Sequence, residues 1–267
     1  MTTWVTGVCE ANGINVRYLR TGGSKPQVVL LHGLTGSGAC WSSLARTLQA
    51  EYDVVMPDAR GHGESSKPLS GYRYSDHASD VVGLIRGLGL TAPVLLGHSM
   101  GGMTAAMVAS ECALGIRGVI LADPTFLSPQ RQREVHGSDV IGQHRRLLHS
   151  DKNEVVAQLR VRHPDRSSEL IEFLAEARLQ TQIDAFDVLT PPNPEYHRLV
   201  STIDVPVLLV IGGNGGVVSL ETARELLVLN PRLRLEQIQD AGHGLPYDRP
   251  DRFAALVRSF LRSLSAH

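Results

Sequence analysis

The chain has 267 residues, 42% of them apolar, and a formal net charge of −1 at pH 7. That composition suffices for one large α/β core, and near-neutrality argues against nucleic acid or a charged membrane surface as the partner. Cys9, Cys40 and Cys112 are too few and too scattered for a disulfide framework or a zinc site, and no run approaches the length of a spanning helix.

The start, Met1-Thr2-Thr3-Trp4, has neither a basic cluster nor an apolar run, so a cytoplasmic location is the expectation. Thr6 to Arg20 alternates around Asn12-Gly13 and predicts a hairpin. Strands and helices then alternate: Val28–Leu31, helix Cys40–Gln49, Val54–Met56, helix Ser75–Leu88, Val94–Leu96, helix Met100–Ser110 and Val119–Ala122. That rhythm predicts a doubly wound, mostly parallel sheet. It stops at Asp123-Pro124. From Phe126 to about Thr202 no strand-like run occurs, and charged helix-periodic segments such as Val155–Val161 and Glu169–Gln182 take over. The sheet resumes with Val207–Ile211, helix Ser219–Leu229, Leu233–Ile238 and a closing helix, Pro250–Leu264. The expected division is a core of residues 1–125 and 203–267 with a helical cap, 126–202, over the sheet's C-terminal edge, where ligands of such sheets bind.

Gly97-His98-Ser99-Met100-Gly101 lies between a strand and a helix. It has the G-x-S-x-G pattern of a nucleophile elbow, in which tight packing leaves no room for side chains at the glycine positions and lifts the serine hydroxyl into a cleft. Upstream, His32-Gly33-Leu34-Thr35-Gly36 follows a strand, where an H-G-x-x-G loop supplies one N–H of an oxyanion hole. The Leu34 and Met100 amides are the natural pair. A phosphate-cradling loop is the rival reading, but the G-K-[S/T] ending is absent. Downstream, Asp240-Ala241-Gly242-His243-Gly244 follows the last strand, the place of the general base in the order Ser…Asp/Glu…His. Asp58-Ala59-Arg60-Gly61-His62-Gly63-Glu64-Ser65 resembles a structural turn, D-x-R-G-x-G-x-S, and is given no part in chemistry.

With these motifs in order, the chain resembles the α/β-hydrolase fold family over essentially its full length. In many members the triad's acid follows the strand after the cap as G-x-x-D. Here the stretch reads Gly212-Gly213-Asn214-Gly215, and glycine cannot orient an imidazole. Two readings stand: a non-catalytic ligand-binding relative, or an acid moved to Asp123, at the end of the strand beyond the serine's. The plain alternative for Asp123 is a strand-end residue capping a turn before proline.

The displaced acid narrows the resemblance. Ala11-Asn12-Gly13-Ile14, Tyr18-Leu19-Arg20-Thr21-Gly22-Gly23, Leu121-Ala122-Asp123-Pro124, Gly215-Gly216-Val217-Val218 and Asn230-Pro231 through His243 are similar to the N-formylmaleamate deformylase branch, and the (acetamidomethylene)succinate hydrolases place their acid likewise. The resemblance implies Ser99 as nucleophile, Asp123 as acid and His243 as base, with no cofactor or metal and a small amide beside carboxylates as substrate. A carboxylesterase or enol-lactone hydrolase would use the same machinery. The cap segment carries Arg131, Arg133, Arg145, Arg146, Arg160, Arg162, Arg166 and Arg178. An anionic substrate needs an inward guanidinium, and Arg145 and Arg146, beside Leu147 and Leu148, are the expected candidates.

Overall fold

In a computed structural model, residues 4–112 and 114–264 are described. In chain order, β1 (Val5–Ala11) and β2 (Ile14–Arg20) form the hairpin. They are followed by β3 (Gln27–Leu31), α1 (Ser42–Leu48), β4 (Asp53–Pro57), α2 (Tyr74–Gly87), β5 (Val94–His98), α3 (Met100–Glu111) and β6 (Gly118–Ala122). Five helices come next: α4 (Pro129–His136), α5 (Val140–Leu147), α6 (Lys152–Arg162), α7 (Ser168–Gln180) and α8 (Tyr196–Thr202). Then β7 (Val207–Gly212), α9 (Leu220–Leu229), β8 (Leu233–Ile238), a short α10 (Leu245–Asp248) and α11 (Pro250–Leu264) follow. The hairpin turn carries φ of 51° at Asn12 and 74° at Gly13, the two positive values a two-residue hairpin turn requires.

The eight strands form one sheet in the order β1-β2-β4-β3-β5-β6-β7-β8, with β1/β2 and β2/β4 antiparallel and the other pairs parallel. The central strands are apolar throughout because helices cover both faces. Leu30, Leu95, Leu96, Ile120 and Val210 are fully buried, each worth about 1.5–3 kcal/mol of transfer free energy. Residues of α2, α3, α8 and α9 fill one face, and those of α1 and α11 fill the other.

The chain winds from β3 outward to β4, then returns across β3 to β5. The β3–β5 junction is therefore the point where strand order reverses and a crevice opens. Leu31 pairs with Gly97 across it, and His98 pairs with Ala122 one strand on. Residues 32–34, Ser99 and Asp123 thus emerge side by side from the same sheet edge. The Asp58 turn is structural as expected. The Asp58 carboxylate accepts the Gly38 and Glu64 N–H groups at 2.7 and 3.0 Å, while Arg60 is buried against Asp80.

In the helical segment between β6 and β7, α4, α6 and α7 start on side-chain caps. The Ser128 side chain caps α4, which has Pro129 at its first position; Asp151 caps α6 and Ser167 caps α7. Val155, Val156 and Leu159 of α6 and Ile171, Leu174 and Ala175 of α7 form a small apolar cluster of their own with Cys40 of the core. Among the described residues no helix is long and apolar enough to cross a membrane.

Candidate active site

Among the described residues, five non-glycine residues have positive φ: Asn12, Thr35, Ala92, Ser99 and Asp123. Three of them, Thr35, Ser99 and Asp123, meet at the β3–β5–β6 edge, and such strain is kept only where packing enforces it. Ser99 has φ 55° and ψ −117° and stands alone between the end of β5 and the start of α3. The flanking glycines are sterically required. A Cβ on Gly97 would lie 2.0 Å from the Gly101 carbonyl oxygen, and one on Gly101 would lie 2.3 Å from that of Leu31. Gly33 presses on the serine too, since its Cβ would come within 3.1 Å of Ser99 Cβ.

His243 arrives on the loop after β8. Its Nε2 lies 3.0 Å from Ser99 Oγ, and its Nδ1 lies 2.6 Å from Asp123 Oδ2. A carboxylate accepts only, so Nδ1 carries a proton and Nε2 is left to take one from the hydroxyl. Asp123 is fully buried. Its Oδ2 also accepts the Val217 N–H at 2.8 Å and its Oδ1 the Val218 N–H at 3.0 Å. The glycine loop that lacks an acid therefore supplies main-chain donors to the acid arriving from β6. A Cβ on Gly216 would meet the Asp123 oxygens at 3.0 and 3.2 Å, so this loop packs directly on the carboxylate.

Among the described residues, neither the Leu34 nor the Met100 N–H donates to another protein atom. The Met100 amide also stands at the N-terminus of α3, where the helix dipole favours negative charge. Such an array can move a proton from a hydroxyl to an imidazole and stabilise charge developing on an acyl oxygen.

The cavity above Ser99 and His243 measures about 320 Å³. Its cationic walls are Arg166 and Arg178, with Tyr247 and His163 beside them. Arg166 donates through Nε and Nη2 to Asp248 Oδ1, at 2.9 and 2.7 Å, and lies over the Tyr247 ring. Arg178 is half-buried and has no acidic or hydrogen-bonding side-chain partner among the described residues. Burial first, then the charges of Arg162 and Arg166, pull its pKa below the ordinary guanidinium value. Burial and Arg166 likewise lower the pKa of His163. A wider cavity of about 760 Å³ adjoins at Thr35 and Arg178 and is lined also by Arg146 and Arg162.

The expectation for Arg145 and Arg146 is corrected. Both are exposed, neither lines the Ser99 cavity, and Arg146 is held outward by Asp139 at 2.6 Å. The apolar residues beside them turn α5 inward, which leaves the two guanidinium groups in water. Arg166 and Arg178 take the inward place, from the loop after α6 and from the end of α7. Sequence reasoning had both among the arginines of the segment but no signal to rank them. It also passed over His98, Tyr247 and the Val217 and Val218 amides.

A sequence model of the alpha/beta hydrolase family matches residues 28–256. The chain belongs to that family. It is 30% identical over 267 aligned residues to N-formylmaleamate deformylase of Pseudomonas putida, covering 98% of each chain. It is 26% identical to 2-(acetamidomethylene)succinate hydrolase of Mesorhizobium japonicum, covering 91% of this chain and 90% of that one. A crystal structure of an N-formylmaleamic acid deformylase from Pseudomonas putida superposes with a TM-score of 0.81 at 25% identity, covering 95% of this chain and all of that one.

Proposed function

We propose that the protein is a cofactor-free serine hydrolase that cleaves a small, carboxylate-bearing amide through an acyl-enzyme. In this reading Ser99 Oγ attacks the acyl carbon while its proton passes to His243 Nε2. Asp123 holds the ring in the right tautomer and balances the imidazolium. The Leu34 and Met100 N–H groups take the oxyanion. His243 returns the proton to the departing nitrogen as the C–N bond breaks. It then deprotonates the water that attacks the acyl-enzyme, and as the acyl–Oγ bond breaks it returns that proton to Ser99 Oγ and the acid leaves. The helices of residues 126–202 act as a cap that carries Arg166 and Arg178 to the cleft.

The observation that carries this reading is the unbroken contact chain from Ser99 through His243 to Asp123, at 3.0 and 2.6 Å, beside two unengaged amides. A ligand-binding protein without turnover has no need of a cradled carboxylate behind the imidazole. Arg178 supports the anionic substrate, because a half-buried guanidinium without an acid is a ready partner for a substrate carboxylate. Ester or enol-lactone cleavage uses the same reacting atoms, and substrate charge separates the readings. The test is a hydrolysis screen of small amides and esters, including N-formyl and N-acetyl dicarboxylate half-amides, with Ser99→Ala as control. Preference for the acidic amides is expected. Preference for neutral esters would leave a carboxylesterase or lactonase, and no turnover of any substrate would leave a binding protein.

A further inference from the structure

His98 stands between Gly97 and Ser99 and is the last residue of β5. It is only 6% exposed. Its Nε2 lies 2.8 Å from the carbonyl oxygen of His243, and the two imidazoles are 4.8 Å apart. A carbonyl only accepts, so Nε2 carries the proton and donates it. Burial, reinforced by the His243 ring beside it, lowers the His98 pKa to about 3, so the ring is neutral when the enzyme works. A neutral ring with its proton on Nε2 leaves Nδ1 as a bare acceptor. That Nδ1 is buried and has no hydrogen-bond partner, and it abuts Gly33, whose Cβ would come within 3.2 Å of it. A buried acceptor left unmatched is destabilising. Its retention points to what the other nitrogen holds.

That other bond is the one main-chain hydrogen bond on His243 among the described residues. The loop is tied on either side of His243, with the Asn214 N–H on the Ala241 carbonyl and the Tyr247 and Asp248 N–H groups on that of Gly244, but none of these bonds falls on His243 itself. The ring contacts to Asp123 and Ser99 orient the imidazole but do not fix the backbone that carries it. His98 does so from the position adjacent to Ser99, on the strand that also sets the serine's height. It packs against the Leu34 loop through Gly33 and stands edge-on to Tyr247 at 5.6 Å.

We propose that His98 is a positioning residue, whose Nε2–H clamps the main chain of His243 over Ser99. The inference rests on the Ser99–His243 reading above. Misplacing a reacting group by an ångström costs on the order of 100-fold in rate, which sets the size of the effect.

The test compares His98→Leu, which removes the donor, with His98→Gln, which keeps one on a similar reach. Three quantities are read: the rate of phosphonylation by a fluorophosphonate, the fraction of titratable sites, and kcat and KM on one substrate. For His98→Leu the expected result is a phosphonylation rate and kcat lower by about 10- to 100-fold, with KM within two-fold and the titratable fraction near that of the wild type. His98→Gln should recover most of the rate. If His98→Leu does not fold, His98→Ala takes its place. A wild-type rate in the donor-less variant, equal losses in both variants, or a loss confined to the titratable fraction would each overturn the proposal. A wild type that the probe does not label at Ser99 would instead overturn the serine-hydrolase reading beneath it.

Discussion

Replacing Asp123 by asparagine removes the charge behind the imidazole and changes few contacts otherwise. The carboxylate accepts three hydrogen bonds: His243 Nδ1–H and the Val217 N–H on Oδ2, and the Val218 N–H on Oδ1. An amide has one oxygen and one NH2. With its oxygen toward His243, the NH2 opposes the Val218 N–H. With the NH2 toward His243, it opposes the Val217 N–H and forces the proton onto Nε2, where the ring cannot accept one from Ser99. In the first orientation the imidazolium loses its counter-charge, and in the second the tautomer is wrong. Either way one buried donor is left unmatched, costing about 1–3 kcal/mol of stability. Turnover should fall by about 10⁴-fold, the loss known for the same change in a Ser-His-Asp triad. That corresponds to roughly 5.5 kcal/mol of transition-state stabilisation. The assay is kcat/KM on a small substrate beside a thermal melt. Asp58→Asn is a control of similar burial, because Asp58 holds the structural turn, the Gly38 N–H and Arg17 and touches none of Ser99, His243 and Asp123. If Asp123→Asn keeps kcat/KM within ten-fold of the wild type, the acid lies elsewhere and the reasoning from the glycine loop fails.

Gly216→Ala should lower kcat roughly ten-fold with little change in KM, because the new methyl would press on the Asp123 carboxylate from 3.0 Å; steady-state kinetics checks this. Arg178→Met should raise KM for a dicarboxylate amide by roughly 10- to 200-fold, the equivalent of about 1.5–3 kcal/mol for a charged hydrogen bond, and barely affect a neutral ester. The same variant should melt no lower than the wild type, and up to about 2 kcal/mol more stably, since it loses a half-buried cation without a partner. Stability should also fall as pH drops below about 6.5. His77 and His98 have folded pKa values lowered to about 3 by burial, so the unfolded chain binds protons there that the native state refuses. Each contributes a loss of up to about 1.4 kcal/mol per pH unit between the unfolded value and 3, and their contributions are fully present above about 6.5. Denaturant titrations at pH 7 and pH 5 measure it, and equal stabilities at the two values would contradict it.

The fold was legible because its signals are local. Apolar runs of four to six residues alternate with helix-periodic stretches, and each central strand is buried on both faces. Ser99 and His243 were legible for a similar reason, since Gly97, Gly101 and Gly242 answer to backbone contacts of 2–3 Å that admit no side chain. Asp123 was reached by the absence of an acid near Gly215, and the geometry adds what spacing could not: the same loop donates two amides to it. The inward arginines were not legible. Whether a guanidinium faces water or a cleft depends on how α5, α6 and α7 pack over the sheet edge, and that is set by long-range contacts such as those of Cys40 with the α6–α7 cluster. His98 was hidden because its partner is a main-chain carbonyl, which leaves no trace in residue type. The short α10 and the 3-10 turn Gly38–Trp41 likewise carry too few residues for a period to show.

The central claim is that Ser99 forms the covalent bond to the acyl group. The most direct measurement is mass spectrometry of the protein after reaction with a fluorophosphonate, with peptide mapping, on the wild type and Ser99→Ala. The expected result is one adduct on the peptide carrying Ser99 in the wild type, none in the variant, and a turnover lower by something on the order of 10⁶-fold in that variant. An adduct that persists in Ser99→Ala, or a variant that keeps its hydrolytic rate, would contradict the account.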